Sequence, residues 1–369
     1  MIEPSPRIAY LLVTGRCNLA CDGCYATLEL AGRHTKQGEL TLEQYSRLVR
    51  QLWEIGVRVF DISGGEPMLR LDLVEICTAI RALPDTRIWL VSNGTLVRGD
   101  LLMRLGPLVE RLAISLDAAD AALHDRLRGR PGAFDRSLAA LRQAQGAGFA
   151  QRAINFLLCR DNPDELAGML DLAAREAVEL LAVLSYRDVS ENAARPEAIP
   201  PLPVLLAGWA TIADRLQDEA FPRVVEVVVP AFLHGHARRF WQGLPAALRD
   251  RIAFRHPNLR GQGAFRGAVV VKPSGGITGD TAMANADLFE VGSVAHPDAD
   301  LATLWSCGVE AWQRRLGERE RTLRAQGPCR DCSSWNVCRG GCPAAALRQS
   351  GTIEQHDRAC DAFRVAGVI

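Results

Sequence analysis

Short runs of Val, Ile and Leu alternate along this chain with longer stretches in which apolar residues recur three and four positions apart. The runs Ile8–Val13, Val57–Ile62, Ile88–Val91, Arg111–Leu116, Ala153–Leu158 and Leu180–Leu184 predict six strands. Each is compact and apolar, as parallel strands covered on both faces are. Between them, Tyr45, Leu48, Val49 and Leu52 stripe one helix and Leu73, Val74, Cys77 and Ile80 another, while Leu138, Leu141 and Ala144 repeat the pattern before Gly146. Thr41, followed by Glu43 and Gln44, reads as the N-cap of the first. Repeated β–α units imply a parallel sheet with right-handed crossovers. The expected fold is α/β: a partial (β/α)6 TIM-like barrel, short of the eight-stranded form.

The rhythm breaks after Tyr186, where Pro196, Pro200, Pro201 and Pro203 give linker-like composition. A helix around Val204–Gln217 and a strand, Val224–Val229, follow. Residues 221–270 are basic, with Arg223, Arg238, Arg239, Arg249, Arg251, Arg255, Arg260 and Arg266 against Glu226 and Asp250. As a hypothesis this segment recognises a carboxylate-bearing substrate, the alternative being an arginine-rich surface. Ala268–Lys272, a Pro273–Gly276 turn and Ile277-Thr278 suggest a hairpin. Residues 301–326 read as helical, and a cysteine-rich tail ends the chain. The expected division is a core barrel over 1–190, a bridging or substrate region over 191–266, and a cysteine-rich C-terminal domain over 267–369.

Composition narrows the function. Lys+Arg and Asp+Glu are equal at 43 each, which argues against general nucleic-acid or membrane-surface binding. No apolar run reaches about 18 residues, and residues 1–6 lack the basic and apolar pattern of a signal peptide. The expected compartment is the cytoplasm, where disulfides are disfavoured. The 11 cysteines therefore need another reason. Cys17, Cys21 and Cys24 fall together near the start, and Cys329, Cys332, Cys338, Cys342 and Cys360 crowd the end. Two metal sites are the natural reading.

Three thiolates on one loop suit a cubane cluster with an iron free of protein ligands. A zinc site missing a ligand, or unrelated thiols, are the alternatives. Other polar residues follow successive strands: Ser63-Gly64-Gly65-Glu66-Pro67 the second, Ser92-Asn93-Gly94-Thr95 the third, Ser115 and Asp117 the fourth. A parallel barrel opens all these strand ends on one rim. Paired glycines let backbone approach a ligand closely, and Glu66 could receive an ammonium group.

The stretch Cys17-Asn18-Leu19-Ala20-Cys21-Asp22-Gly23-Cys24-Tyr25, with Gly64-Gly65-Glu66-Pro67, resembles the radical S-adenosylmethionine (radical SAM) superfamily over residues 8–185. The resemblance implies a [4Fe–4S] cluster on Cys17, Cys21 and Cys24 whose open iron is chelated by S-adenosylmethionine. Reductive cleavage then yields a 5′-deoxyadenosyl radical that abstracts a substrate hydrogen. It also implies that Gly64, Gly65 and Glu66 bind the methionine amino group, that Asn93 and Ser115 contact ribose or carboxylate, and that Arg128 pairs with the carboxylate. Gly23 departs from the family, which usually has an aromatic residue or histidine there, next to adenine.

The tail, Cys329-x2-Cys332-x5-Cys338-Arg339-Gly340-Gly341-Cys342 and then Cys360, resembles the auxiliary-cluster module called SPASM; zinc is the alternative for such spacings. The resemblance implies an auxiliary cluster, [4Fe–4S] in type, on Cys329, Cys332, Cys338 and Cys360. Cys342 would belong to an inner cluster whose other cysteines are missing: Asp280 stands where one is expected after Gly275, and 259–265 hold none. One auxiliary cluster is expected, with Asp280 a speculative ligand of a second.

The implied function is that of a radical SAM oxidoreductase that crosslinks or oxidises a peptide, like the maturases of ribosomally made peptides (RiPPs). A reductant such as flavodoxin or ferredoxin is expected. The chain starts about eight residues before its first strand, so a peptide would be bound directly or by a separate recognition protein. The alternatives are a radical SAM oxidase or decarboxylase of a small cofactor precursor, and a non-catalytic iron–sulfur or zinc protein. Neither the bond formed, the catalytic acid or base, nor the oligomeric state is legible.

Overall fold

A computed structural model describes residues 6–24, 38–186, 189, 198–218, 221, 224–255 and 267–369. Tyr25, Pro196, Arg223, Arg260, Arg266 and the 259–265 stretch lie outside the described residues, as does the side chain of Arg255.

The six strands form where the apolar runs place them: β1 (Ile8–Leu12), β2 (Val59–Ser63), β3 (Arg87–Ser92), β4 (Arg111–Ser115), β5 (Gln151–Leu158) and β6 (Leu180–Ser185). All pair in parallel, in chain order. The sheet does not stop there. β7 (Val224–Val228) and β8 (Ile252–Arg255) extend it in parallel beyond β6. At the other edge β9 (Ala268–Val271) pairs in parallel with β1, and β10 (Ile277–Thr278) returns antiparallel on β9. The result is one open ten-stranded sheet. The hairpin read from the sequence is thus an edge of the barrel sheet as well. β8 escaped the sequence reading because it is four residues long, with Arg251 and Arg255 at its ends.

Helices α1 (Leu42–Glu54), α2 (Leu73–Arg81), α3 (Gly99–Leu105), α4 (Ala121–Arg128), α5 (Ala133–Gln143) and α6 (Glu165–Arg175) link the first strands. α7 (Leu202–Arg215), α8 (His234–Gly243) and α9 (Ala246–Arg249) link the later ones. α10 (Leu301–Ala325), α11 (Trp335–Cys338), α12 (Pro343–Ser350) and α13 (Asp361–Val365) complete the chain. Thr41 caps α1 reciprocally with Gln44. Cys77 is buried on α2, a core residue as its stripe predicts.

The two faces of the sheet differ. Ala9, Leu11, Phe60, Ile62, Ile88, Leu90, Leu112, Ile114, Ile154 and Phe156 are wholly buried in the main apolar core that the helices share. The opposite face is only half-buried along the row Tyr10, Asp61, Trp89, Arg111 and Gln151, each in register with the next. That face lines the inside of the barrel. The C-terminal region rests against α1, where Gln44 and Gln51 donate to the Ala295 and Ala299 carbonyls at 2.8 and 2.9 Å. No helix among the described residues is long and apolar enough to cross a membrane.

Candidate functional site

Cys17, Cys21 and Cys24 are half-buried on the loop leaving β1, at the end of the sheet where the parallel strands finish. Both flanks of the loop are clamped. On one side the Gly65 and Glu66 amides donate to the carbonyls of Thr14 and Arg16, each at 2.7 Å. A Cβ on Gly64, where φ is +133°, would lie 2.5 Å from the Thr14 oxygen, and one on Gly65 2.1 Å from that of Arg16. The room these glycines leave is taken by the cysteine loop itself. On the other side the Asp22 amide donates to the Leu127 carbonyl at 2.8 Å, and Arg130 donates to that of Asn18 at 3.2 Å.

Glu66, 1% exposed, spends both carboxylate oxygens inside the protein. Oε1 accepts from the Met68 amide at 3.0 Å and the Ser92 hydroxyl at 2.8 Å, and Oε2 accepts from the Asn93 amide at 2.8 Å. Burial raises its pKa, against these three bonds and the charge of Arg128. Glu66 thus fastens the rim of β2 to that of β3. The Asn93 side chain continues the network: Nδ2 donates to Asn18 Oδ1 at 2.9 Å, and Oδ1 accepts from the Thr95 amide and hydroxyl. Asn18 in turn donates to Thr95 Oγ1 at 2.8 Å. The sequence marked Asn93 and Glu66. The part of Asn18 and Thr95 was legible only in hindsight, from their membership of the same two stretches.

Arg128, at the end of α4, reaches between two groups. Its Nε lies 2.8 Å from Asp117 Oδ2, and its Nη1 lies 3.8 Å from Cys21 Sγ. Burial works against this guanidinium, but Asp117, Cys21 and Cys24 outweigh it and hold its pKa above the ordinary value. Asp117 also accepts from the Leu157 amide at 3.0 Å. Its own amide donates to His124 Nδ1 at 3.1 Å, which leaves that nitrogen as an acceptor. Burial, then the charge of Arg128, lowers the His124 pKa to about 3, so the ring is neutral. Ser115 stands apart from the Glu66 network, half-buried on β4 in the interior row Ser115, Asn155, Ala182 and Glu226. Gly23, at φ +71°, has the ring of Tyr186 over it: a Cβ there would meet Tyr186 Cε2 at 2.8 Å. Tyr186 follows β6, and no sequence signal linked it to the cysteine loop.

At the far end the tail gathers its thiols after α10. Cys329, Cys338 and Cys360 act on one another electrostatically, and Cys332 acts on Cys329 and Cys338. Burial first, then Asp357, Cys329 and Cys332, pushes the Cys338 thiol up to about 12. Cys342 is buried at the start of α12, where its amide donates to Asp357 Oδ2 at 3.3 Å. Asp280 caps the short turn Thr281–Asn285 through the Ala282 amide at 2.8 Å, and this turn packs against α12. His236, within the His234-Gly235-His236 stretch, has Nε2 on the Val368 carbonyl and Nδ1 on Arg239.

These donor sets fit iron–sulfur clusters. Cys17 carries a thiol that burial, Cys21, Glu66 and Cys24 push up to about 11 against the Leu19 backbone hydrogen bond, so a bound cation is what would draw off its proton. Among the described residues, the metal-capable atoms lying mutually within 4.8 Å are those of His356, Cys360 and Asp361. Neither thiol group packs three sulfurs that tightly, whereas tetrahedral zinc with Zn–S near 2.3 Å would draw them to about 3.8 Å.

Known proteins resemble this chain in sequence and in fold. Residues 11–173 match the Radical SAM superfamily. The chain is 34% identical over 172 residues to the AdoMet-dependent heme synthase of Methanosarcina barkeri, covering 46% of this chain and 47% of that one. It thus spans about half the length of that curated relative. It is 27% identical over 362 residues to the PqqA peptide cyclase of Granulibacter bethesdensis, covering 97% and 88%. In fold it is similar to Streptococcus suis SuiB bound to precursor peptide SuiA, with TM-score 0.71 and 16% identity over 97% of this chain and 76% of that one. The sequence, the open parallel sheet and these matches agree: over residues 11–173 the chain is a radical SAM domain.

Proposed function

We propose that the chain is a radical SAM oxidoreductase that modifies a peptide, with the core barrel over 1–190, a bridging region over 191–266 and an auxiliary-cluster domain over 267–369. The observation that carries the reading is the clamped loop: three thiols, with Arg128 3.8 Å from one of them, at the mouth of a half-buried barrel interior. Cys17, Cys21 and Cys24 would hold a [4Fe–4S] cluster. Cys329, Cys332, Cys338 and Cys360 would hold an auxiliary one. When bound together, the first cluster and S-adenosylmethionine supply a 5′-deoxyadenosyl radical for hydrogen abstraction.

The chain's own residues shape that chemistry. Gly64 and Gly65 let the cysteine loop lie on the β2 rim, and Glu66 locks that rim to β3. Asn93, Asn18 and Thr95 hold the loop from above. Arg128, fixed by Asp117, places a positive charge beside Cys21 and in reach of a carboxylate. Ser115 presents a hydroxyl to the interior. A peptide substrate is supported by similarity running through the tail to a relative named as a peptide cyclase. Similarity over the core to a heme synthase favours a second reading, oxidation or decarboxylation of a small cofactor precursor. An electron donor such as flavodoxin or ferredoxin and a cytoplasmic setting complete the proposal.

The test is anaerobic purification followed by reduction with dithionite and addition of S-adenosylmethionine. The expected result is a brown protein that releases 5′-deoxyadenosine, and the Cys17, Cys21 and Cys24→Ala variant releases none. A colourless protein holding only zinc, or turnover that survives the triple substitution, would overturn the proposal. A mass change in a peptide encoded beside this chain's gene separates the peptide reading from the precursor one.

A further inference from the structure

Arg319 is 1% exposed in the middle of α10, and its donors go to backbone carbonyls. Nη1 donates to the Arg339 carbonyl at 3.1 Å, and Nη2 to those of Gly340 at 2.8 Å and Gln355 at 2.9 Å. Nε donates to the Ile353 carbonyl. These acceptors lie on two segments that carry tail cysteines. Arg339 and Gly340 form the turn between Cys338 and Cys342, and residues 353–355 lead into Cys360.

The turn needs holding. Arg339, Gly340 and Gly341 are all left-handed, with φ of 52, 86 and 74°. For an arginine that conformation costs about 1 kcal/mol or more. Gly340 has no room for a side chain either, since a Cβ would lie 2.3 Å from Leu323 and 3.1 Å from Arg319 Nη1. A guanidinium is the side chain whose planar fork can meet four carbonyls at once.

Its charge is the second feature. No carboxylate forms an ion pair with Arg319 among the described residues, and burial lowers its pKa, opposed by the neighbouring Cys342, Asp357, Cys338 and Cys329 in their anionic forms. Asp357 lends its oxygens to the amides of Cys342 and Ala359 instead. A buried cation bonded only to neutral acceptors is costly unless anions stand nearby. Thiolates holding a cluster meet that need.

We propose that Arg319 is the positioning residue of the tail iron–sulfur site: it fixes the segments bearing Cys338, Cys342 and Cys360, and its charge raises the reduction potential there. The inference rests on the auxiliary-cluster reading above. Positive charge favours the more reduced, more negative cluster, and net charge and hydrogen bonding set such potentials.

The test uses the full chain with Cys17, Cys21 and Cys24→Ala, so that the remaining iron belongs to the tail. This chain is expected to hold about four irons. Zero would end the auxiliary-cluster reading itself. Adding Arg319→Met is expected to remove at least half of that iron and to lower the midpoint of what remains, read by EPR-monitored redox titration. Should that variant fail to fold by circular dichroism, Arg319→Lys decides. It keeps the charge but spans fewer carbonyls, and is expected to keep the midpoint while losing iron to a chelator several-fold faster. Iron content, chelation rate and midpoint all at the parent's values would overturn the role of Arg319 while leaving the cluster reading standing.

Discussion

A Cβ on Gly65 would sit 2.1 Å from the carbonyl oxygen of Arg16, with the Gly65 amide already bonded to Thr14. The β2 rim and the cysteine loop are therefore two strands of backbone in direct contact, with no side chain between them. Gly65→Ala must push the loop off that rim. The expected cost is about 3 kcal/mol or more, in the range reserved for steric conflict at special backbone sites. Urea denaturation of the metal-free chain measures it. Iron bound at the N-terminal site should fall as well, while the tail iron stays. Equal stability and full iron would show that the contact yields.

How far this was legible follows from which residues act locally. Six strands announced themselves because each is a short apolar run buried by helices, and α1 announced its start through Thr41 and Gln44. Both thiol groups were visible from spacing. What escaped is what depends on tertiary contact. β8 is too short and too flanked by arginine to read alone. Tyr186 reaches Gly23 across 163 positions, and Arg319 reads carbonyls on two loops. Glu66 stood out by its type and its Gly-Gly neighbours, but its bonds to the Met68 amide, the Ser92 hydroxyl and the Asn93 amide come from the fold. A sequence shows the residue type but not which donors the fold will bring to it.

Asp117 and Arg128 form a pair whose side chains are 7% and 14% exposed. Removing one partner of such a pair leaves a buried charge, at a cost of about 3–5 kcal/mol. Arg128→Met is expected to show most of that loss, because among the described residues Asp117 would keep the Leu157 amide, at 3.0 Å, as its donor. Adding Asp117→Asn should recover part of it. A double-mutant cycle by urea denaturation measures the coupling, and additive losses would show the pair is not coupled. Affinity for S-adenosylmethionine, by equilibrium dialysis, should drop in both Arg128 variants.

Gly23 and Tyr186 offer a comparable coupling. Gly23→Ala brings a methyl against the Tyr186 ring and also strains a residue at φ +71°. Strain alone costs about 1–2 kcal/mol, so replacing Tyr186 by Leu should relieve only the part due to the ring. The expected order of N-terminal iron retention is the parent chain, then Gly23→Ala with Tyr186→Leu, then Gly23→Ala alone. Identical retention in the last two would mean that the ring does not crowd the loop.

Asp61 points into the barrel between Tyr10 and Trp89, and burial raises its pKa to about 7 despite the charge of Arg111. The unfolded chain has this carboxyl near its ordinary value of about 3.9. Between those values the folded protein holds a proton that the unfolded chain has released. Folding stability from this group is therefore full below about pH 4 and is lost as pH rises through about 7, the reverse of a salt-bridged carboxylate. Asp61→Asn cannot ionise, so it should be more stable than the parent at pH 8 and should lose the downward slope between pH 4 and 7. Thermal melts of the metal-free chain across that range measure both. A parent whose stability rises through the window by the same amount as the variant's would show that Asp61 is ionised throughout and that Arg111 outweighs its burial.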